Sequence, residues 1–122
     1  MASNKTFRFG PLALTNTPTT NILNPPTTSG GVNGGSSGCY ITLKHIRIVN
    51  KTGLPATFSL WLGATGGNVA GTEVIGTGKV VPANDYIDSY DVLRLDVADF
   101  LVGGSNTASA LTIYGEGEIG VA

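Results

Sequence analysis

Few residues of this 122-residue chain could carry out acid–base or nucleophilic chemistry. The only histidine, His45, lies in the middle of an apolar stretch. The one G-x-S-x-G match, at residues 34–38, lies in a glycine-rich stretch with no strand pattern before it and no helix pattern after it, unlike the turn that presents a nucleophile. A catalytic triad requires a base beside its nucleophile. We therefore predict that His45 is a structural residue, hydrogen-bonded to a nearby carbonyl or hydroxyl group.

The acidic residues are more numerous, but their spacing is not diagnostic. Glu116 and Glu118 alternate within an apolar segment and share a face at a spacing that retaining glycosidases can use, yet any exposed strand shows the same pattern. One cysteine and one histidine six positions apart do not complete a zinc site. Five aspartates lie within fifteen positions but lack EF-hand spacing: Asp85, Asp88, Asp91, Asp96 and Asp99. We predict no catalytic residue, no metal site and no cofactor, and we do not expect an enzyme.

The composition of the chain excludes several classes of binding protein. Seven basic and eight acidic residues give a net charge of -1, which does not favour binding to nucleic acid or to an anionic membrane. Charged residues make up only 12% of the chain, about half the usual share. The single cysteine cannot form an internal disulfide, which fits synthesis in a reducing cytoplasm. We find no secretory signal in the first 25 residues and no apolar run long enough to cross a bilayer.

The elements that must position these residues are strands, and residues 39–50 (CYITLKHIRIVN) form the central one. Ile41 and Leu43 are two apart, as are Ile46 and Ile48, so each pair points to one face of a strand. The gap of three between Leu43 and Ile46 breaks this phase and predicts a β-bulge near Lys44. Burial of these four side chains contributes roughly 1.5 to 3 kcal/mol each before entropy is counted.

The rest of the chain indicates seven or eight short strands and no long helix. Apolar and polar residues alternate over residues 56–62, which predicts a strand with Trp61 on its outer side. Further strands are predicted over residues 73–81 and 92–99. Residues 98–102 are predicted as either a short helical turn or a further strand. The last strand runs from 110 to about 121, where inward Gly115 and Gly117 suggest close approach by Trp61 or a phenylalanine, or a bulge. We predict an all-β antiparallel sandwich of jelly-roll or immunoglobulin-like topology.

Residues 1–38 differ from residues 39–122, which we assign to the sandwich. Prolines interrupt residues 1–38, and residues 29–38 contain five glycines in ten positions, as in a flexible hinge. We predict an extended N-terminal arm that becomes ordered on its own sandwich or on a partner. The residues predicted to make interactions are mostly large and apolar: Phe7, Arg8, Phe9, Leu12, Leu14, Ile22, Leu23 and Trp61.

Three segments resemble small β-sandwich virion proteins of tailed bacteriophages. They are residues 43–52 (LKHIRIVNKT), 56–64 (ATFSLWLGA) and 111–119 (LTIYGEGEI), together with a Val-Pro-Ala-Asn turn at 81–84. The resemblance implies a capsid decoration (cement) protein, made in the host cytoplasm, that binds the major capsid protein on the outside of the head. It implies a homo-oligomer, a dimer or a trimer, that stabilises the shell through its arm and its oligomeric contacts, with no catalytic site. The alternatives are a tail or collar component, or a carbohydrate-binding module in which Trp61, Tyr86, Tyr90 or Tyr114 stacks on a sugar.

Overall fold

The structure is a computed structural model that describes residues 5–24, 39–96 and 98–121. None of the described residues forms a helix that could cross a membrane. Nine strands are present in this part of the chain: β1 (Lys5–Ala13), β2 (Asn21–Leu23), β3 (Cys39–Asn50), β4 (Ala56–Gly63), β5 (Glu73–Val81), β6 (Tyr86–Ser89), β7 (Leu93–Leu95), β8 (Phe100–Ser105) and β9 (Leu111–Val121).

The strands form two antiparallel sheets that pack face to face. In the first, here called the β3 sheet, the order is β1-β9-β3-β6, and β7 also pairs with β3. In the second, the β4 sheet, the order is β2-β8-β4-β5. The buried apolar side chains of both sheets meet in one core. The predicted all-β antiparallel sandwich is confirmed.

Strand β3 has the predicted bounds and the predicted bulge. Its register with β9 shifts between Leu43 and His45, so Lys44 has no partner across the ladder. The extra residue brings Ile46 and Ile48 back to the face that carries Ile41 and Leu43. All four side chains are at most 2% exposed. The same shift turns both Lys44 and His45 away from the core.

Residues 5–24, within the segment predicted as an arm, are strands and turns of the sandwich. Strand β1 pairs with β9 at the edge of the β3 sheet, and β2 pairs with β8 at the edge of the β4 sheet. Phe9, Leu14 and Leu23 are buried in the common core at 6%, 1% and 7% exposure. The predicted hinge at 29–38 lies outside the described residues.

Two glycines of β9 allow close packing at this edge. A Cβ atom at Gly115 would overlap the ring of Phe9, which confirms the predicted approach of a phenylalanine. A Cβ atom at Gly117 would overlap the carbonyl oxygen of Thr42, in the backbone just before the bulge of β3. Glycine is therefore required at Gly117 because backbone atoms, unlike a flexible side chain, cannot move aside cheaply.

Strand β8 is buried on both of its faces, which resolves the two alternatives predicted for residues 98–102 in favour of a strand. Leu101 points into the core, and Val102, which lies beside Trp61 in the ladder, is also 0% exposed. The segment between β1 and β2 lies along β8, where the Ser105 N–H donates to the Thr15 carbonyl oxygen. The strand predicted over 92–99 is shorter than expected, since β7 covers only Leu93–Leu95.

Asn50, at the end of β3, connects the two sheets through its side-chain amide. Its Nδ2 donates to the carbonyl oxygens of Leu54 at 2.8 Å and of Val81, in β5, at 3.1 Å. Its Oδ1 accepts from the backbone N–H and the hydroxyl of Thr52. The side chain thus makes four hydrogen bonds at 1% exposure, as burial of an amide requires.

Candidate functional site

The two outer faces of the sandwich differ in charge. Among the side chains that the structure describes, seven charged ones lie on the outer face of the β3 sheet: Arg8, Lys44, Arg47, Asp88, Arg94, Glu116 and Glu118. The strands of the β4 sheet carry two, Glu73 and Lys79, both on the edge strand β5. Because the domain is so poor in charge, this division gives each sheet a distinct surface chemistry.

All four tyrosines of the chain lie on the outer face of the β3 sheet, which we call the tyrosine face: Tyr40, Tyr86, Tyr90 and Tyr114. Arginines pack on two of them. The guanidinium carbon of Arg94 lies 4.0 Å from the ring centroid of Tyr40, and that of Arg47 lies 4.5 Å from the centroid of Tyr86. These are cation–π distances, and they hold the aromatic rings in ordered pairs.

A charged cluster of His45, Arg47 and Asp88 occupies the centre of the tyrosine face. Strand β6 places Asp88 opposite Arg47, whose Nε and second guanidinium nitrogen donate to the two carboxylate oxygens at 2.6 and 2.9 Å. The Nε2 of His45 lies 2.8 Å from Oδ1 of the same carboxylate. The hydrogen bonds from Arg47 and then from His45 lower the pKa of Asp88 from 3.8 to about 2 and, in return, Asp88 raises the pKa of Arg47.

His45 is enclosed by further contacts and is only 12% exposed. Its Nδ1 lies 3.5 Å from Oε1 of Glu116. Its ring is nearly parallel to that of Tyr90, at 4.7 Å between centroids and 15° between planes, and perpendicular to that of Tyr114. The predicted carbonyl or hydroxyl partner is wrong, because the bulge turns His45 toward carboxylates on β6 and β9. Within the described residues the polar partners of His45 are carboxylates.

Beside this cluster is a cleft of about 390 Å³, which we call the Tyr90 cleft. Its lining is drawn from β1, β3, β9 and the segment after β6: Thr6, Phe7, Lys44, His45, Tyr90, Glu116, Gly117 and Glu118. Glu118 pairs with Lys44 across it, at 3.2 Å between Oε2 and Nζ. A second, more open cleft of about 460 Å³ adjoins it and shares Thr6, Phe7 and Glu116, with Arg8 as its additional residue.

The carboxylates are dispersed rather than gathered. Among the described residues, no three His, Cys, Asp or Glu side chains converge as metal ligands would. Asp88 is bound to Arg47, Asp96 accepts from Arg94 at 2.8 Å, and Asp99 accepts from the backbone N–H of Asp96. Glu116 and Glu118 share a face as predicted, and each has a cationic or imidazole neighbour.

The outer face of the β4 sheet, here called the uncharged face, has a different character. Thr57, Ser59 and Trp61 alternate outward along β4 and are partly exposed. On the edge strand β5, Val80 lies opposite Thr57 and is 53% exposed, and Glu73, also exposed, lies opposite Trp61, so the name refers to the strands inside this edge. A shallow depression of about 270 Å³ adjoins these residues and is lined largely by small polar side chains and backbone: Asn16, Pro18, Thr57, Phe58, Ser59, Gly104, Ser105 and Asn106.

The residues predicted to make interactions are divided between these surfaces and the core. Beyond the three already described as buried, Phe7, Leu12 and Ile22 pack against the core and are partly buried. Arg8 is exposed opposite Glu116, and Trp61 lies on the other sheet. The structure thus brings Phe7 and Arg8 to the clefts beside Glu116 but does not bring Trp61 to them. Contacts of these residues with a partner remain a prediction.

Sequence reasoning missed the pairing of Arg47, Asp88 and His45. The available signal was the outward alternation of Tyr86 and Asp88, which placed an acid and an aromatic ring on the face that also carries Arg47. No protein-family model matches the chain, and no curated protein matches its sequence.

Proposed function

We propose that the protein is a capsid decoration protein of a tailed bacteriophage, which binds the outer surface of the head and stabilises the shell. The resemblance to phage virion proteins is the reason for proposing a bacteriophage head as the binding partner. The observation that carries the proposal is the charge asymmetry of the sandwich. The charged residues of the β4 sheet are confined to its edge strand β5, where Glu73 lies opposite Trp61.

The uncharged face is the surface we assign to contact with the major capsid protein. Removal of charges from water is costly, and the central parts of protein interfaces are accordingly depleted of charged residues and enriched in aromatic ones. Trp61 is the residue type most often found at interface hot spots. Thr57 and Ser59 beside it provide hydroxyl groups for hydrogen bonds at low desolvation cost.

The tyrosine face then points away from the shell. Its charged side chains remain hydrated, which keeps the particle surface soluble. Residues 5–24 contribute to this arrangement as strands of the sandwich, so the contact surface in this proposal is the sandwich itself. Self-association into a dimer or trimer would add contacts between neighbouring copies on the shell.

The test is binding to purified heads that lack the protein, measured by quantitative mass spectrometry of the particles. We expect hundreds of copies per head and a higher bursting temperature of the shell. We expect Val80→Lys, which adds a charge to the uncharged face at an already exposed position, and Trp61→Ala to weaken binding at least ten-fold. Tyr86→Ala, on the opposite face, should bind as the parent does.

Thermal melting of each variant distinguishes loss of binding from loss of folding. Undiminished binding by Val80→Lys and Trp61→Ala would show that the uncharged face does not contact the shell. A handful of copies per particle, found only with tails, would replace the proposal by the tail or collar alternative.

A further inference from the structure

We propose that the Tyr90 cleft binds a neutral oligosaccharide, a function separate from adhesion to the shell. The cleft lies on the tyrosine face, opposite the face assigned to the capsid, so both surfaces can be occupied at once. The inference rests on the cleft alone, so a failure of the proposed function would not affect it.

Tyr90 supplies a stacking surface. The residue is 70% exposed although one side of its ring lies on His45, so the other side is open to solvent. A tyrosine ring combines a flat apolar face with a polar hydroxyl and has few rotatable bonds to immobilise. Such a face matches the C–H surface of a pyranose ring, whose hydroxyl groups point outward to the rim.

The support beneath Tyr90 is already ordered. His45 is held by Asp88, and Asp88 is held through both oxygens by Arg47. These contacts fix the position of the imidazole ring on which Tyr90 stacks. A binding surface that is ordered before the ligand arrives loses less conformational entropy on binding.

The polar groups around the ring favour a neutral ligand with many hydroxyl groups. Glu116 and Glu118 provide acceptors, while Lys44 and Thr6 provide donors. Glu118 pairs with Lys44 within the cleft and Glu116 lies opposite Arg8 at its edge, so no single charge dominates. A cleft for an anion or a cation would instead present an excess of the opposite charge.

The size of the site indicates more than one sugar unit. Its volume of about 390 Å³ falls in the usual range of ligand sites, about 300 to 1,000 Å³. The second cleft, of about 460 Å³, continues it past Glu116 and has the same Thr6 and Phe7 lining. A chain that stacks one ring on Tyr90 can therefore extend along β1.

The experiment uses the full chain, labelled with ¹⁵N, and four soluble probes: maltohexaose, cellohexaose, mannohexaose and chitohexaose. We expect at least one of them to shift the amide signals of Tyr90, Glu116 and Gly117 at millimolar concentration and to leave that of Trp61 unchanged. Tryptophan fluorescence is a poor reporter here because Trp61 lies on the other sheet.

Matched variants locate the site. Tyr90→Ala should weaken binding of that sugar at least ten-fold and Tyr90→Phe by less than three-fold, since the phenylalanine ring still stacks. Tyr86→Ala is the control, because Tyr86 is an exposed tyrosine on the same face but outside the cleft.

The proposal is overturned if none of the four sugars shifts the cleft signals at 20 mM, or if the shifts map to another surface. It is equally overturned if Tyr86→Ala weakens binding as much as Tyr90→Ala. Binding of a lysine hexapeptide in the cleft, without any of the sugars, would assign the site to cations instead.

Discussion

Replacement of Asn50 by alanine tests the connection between the two sheets. The substitution removes an amide that makes four hydrogen bonds at 1% exposure and leaves their partners behind. The largest cost comes from the carbonyl oxygen of Val81, because Val81 is 0% exposed and water cannot easily replace the lost donor. The partners on Thr52 and Leu54 are closer to solvent and can be rehydrated.

The expected loss follows from these four bonds. A stranded buried acceptor costs about 1 to 3 kcal/mol, and each bond whose partner regains water costs about 0.5 to 1 kcal/mol. With one stranded acceptor and three rehydrated bonds, we therefore expect Asn50→Ala to lower the free energy of unfolding by about 2.5 to 6 kcal/mol. At about 3 °C per kcal/mol for a domain of this size, the melting temperature should fall by about 8 to 18 °C.

The assay is urea unfolding followed by circular dichroism, supported by thermal melting. Asn68→Ala, an exposed asparagine in the loop after β4, is the matched control and should change stability by less than about 0.5 kcal/mol. Asn50→Asp is the sharper variant, because a carboxylate would face two carbonyl oxygens. It should be less stable than Asn50→Ala at pH 7 and recover part of the loss as acid protonates the carboxyl group. If Asn50→Ala melts within 2 °C of the parent, the reasoning fails.

Two further predictions concern the β3 sheet. Gly117→Ala should destabilise the domain strongly or prevent folding, because the added Cβ would overlap the backbone at Thr42. Gly53→Ala is the control and should fold normally, since the space around Gly53 is open. Soluble expression and thermal melting of the two variants test this prediction. The ion pair of Asp88 with Arg47 should add stability at neutral pH and lose it as the pH falls from 3.8 toward about 2, because the folded-state pKa of Asp88 lies below its unfolded value. Urea titrations of Asp88→Asn should accordingly show a deficit against the parent that shrinks across this interval, and a constant deficit would contradict the assignment.

The strands with regular alternation could be predicted from sequence, some of them to the residue. Strands β3 and β5 have the expected bounds, and the phase break beside Lys44 located the bulge. These features are local, since the period of the side chains reports which face is buried. The glycine at 115 also indicated a close approach by an aromatic ring, which Phe9 makes.

The pairing of β1 and β2 could not be derived in the same way. Their partners lie about a hundred residues away for β1 and about eighty for β2, and prolines and glycines interrupt their alternation. The charged cluster has the same difficulty, since Asp88 meets His45 across 43 positions. Such sites depend on which strands become neighbours, and the periodicity of one strand contains no information about that choice.

Strand β9 is the last described strand to be synthesised, yet it lies between β1 and β3. Lys5 stands opposite Ile119, so the earliest and latest described strands are direct neighbours. A nascent chain halted before residue 111 would have β1 and β3 but not the strand that joins them. Although β3 can already pair with β6 and β7, β1 can join the β3 sheet only after translation of the domain is almost complete. In a ribosome-bound fragment that ends before residue 111, β1 should therefore be readily digested by protease.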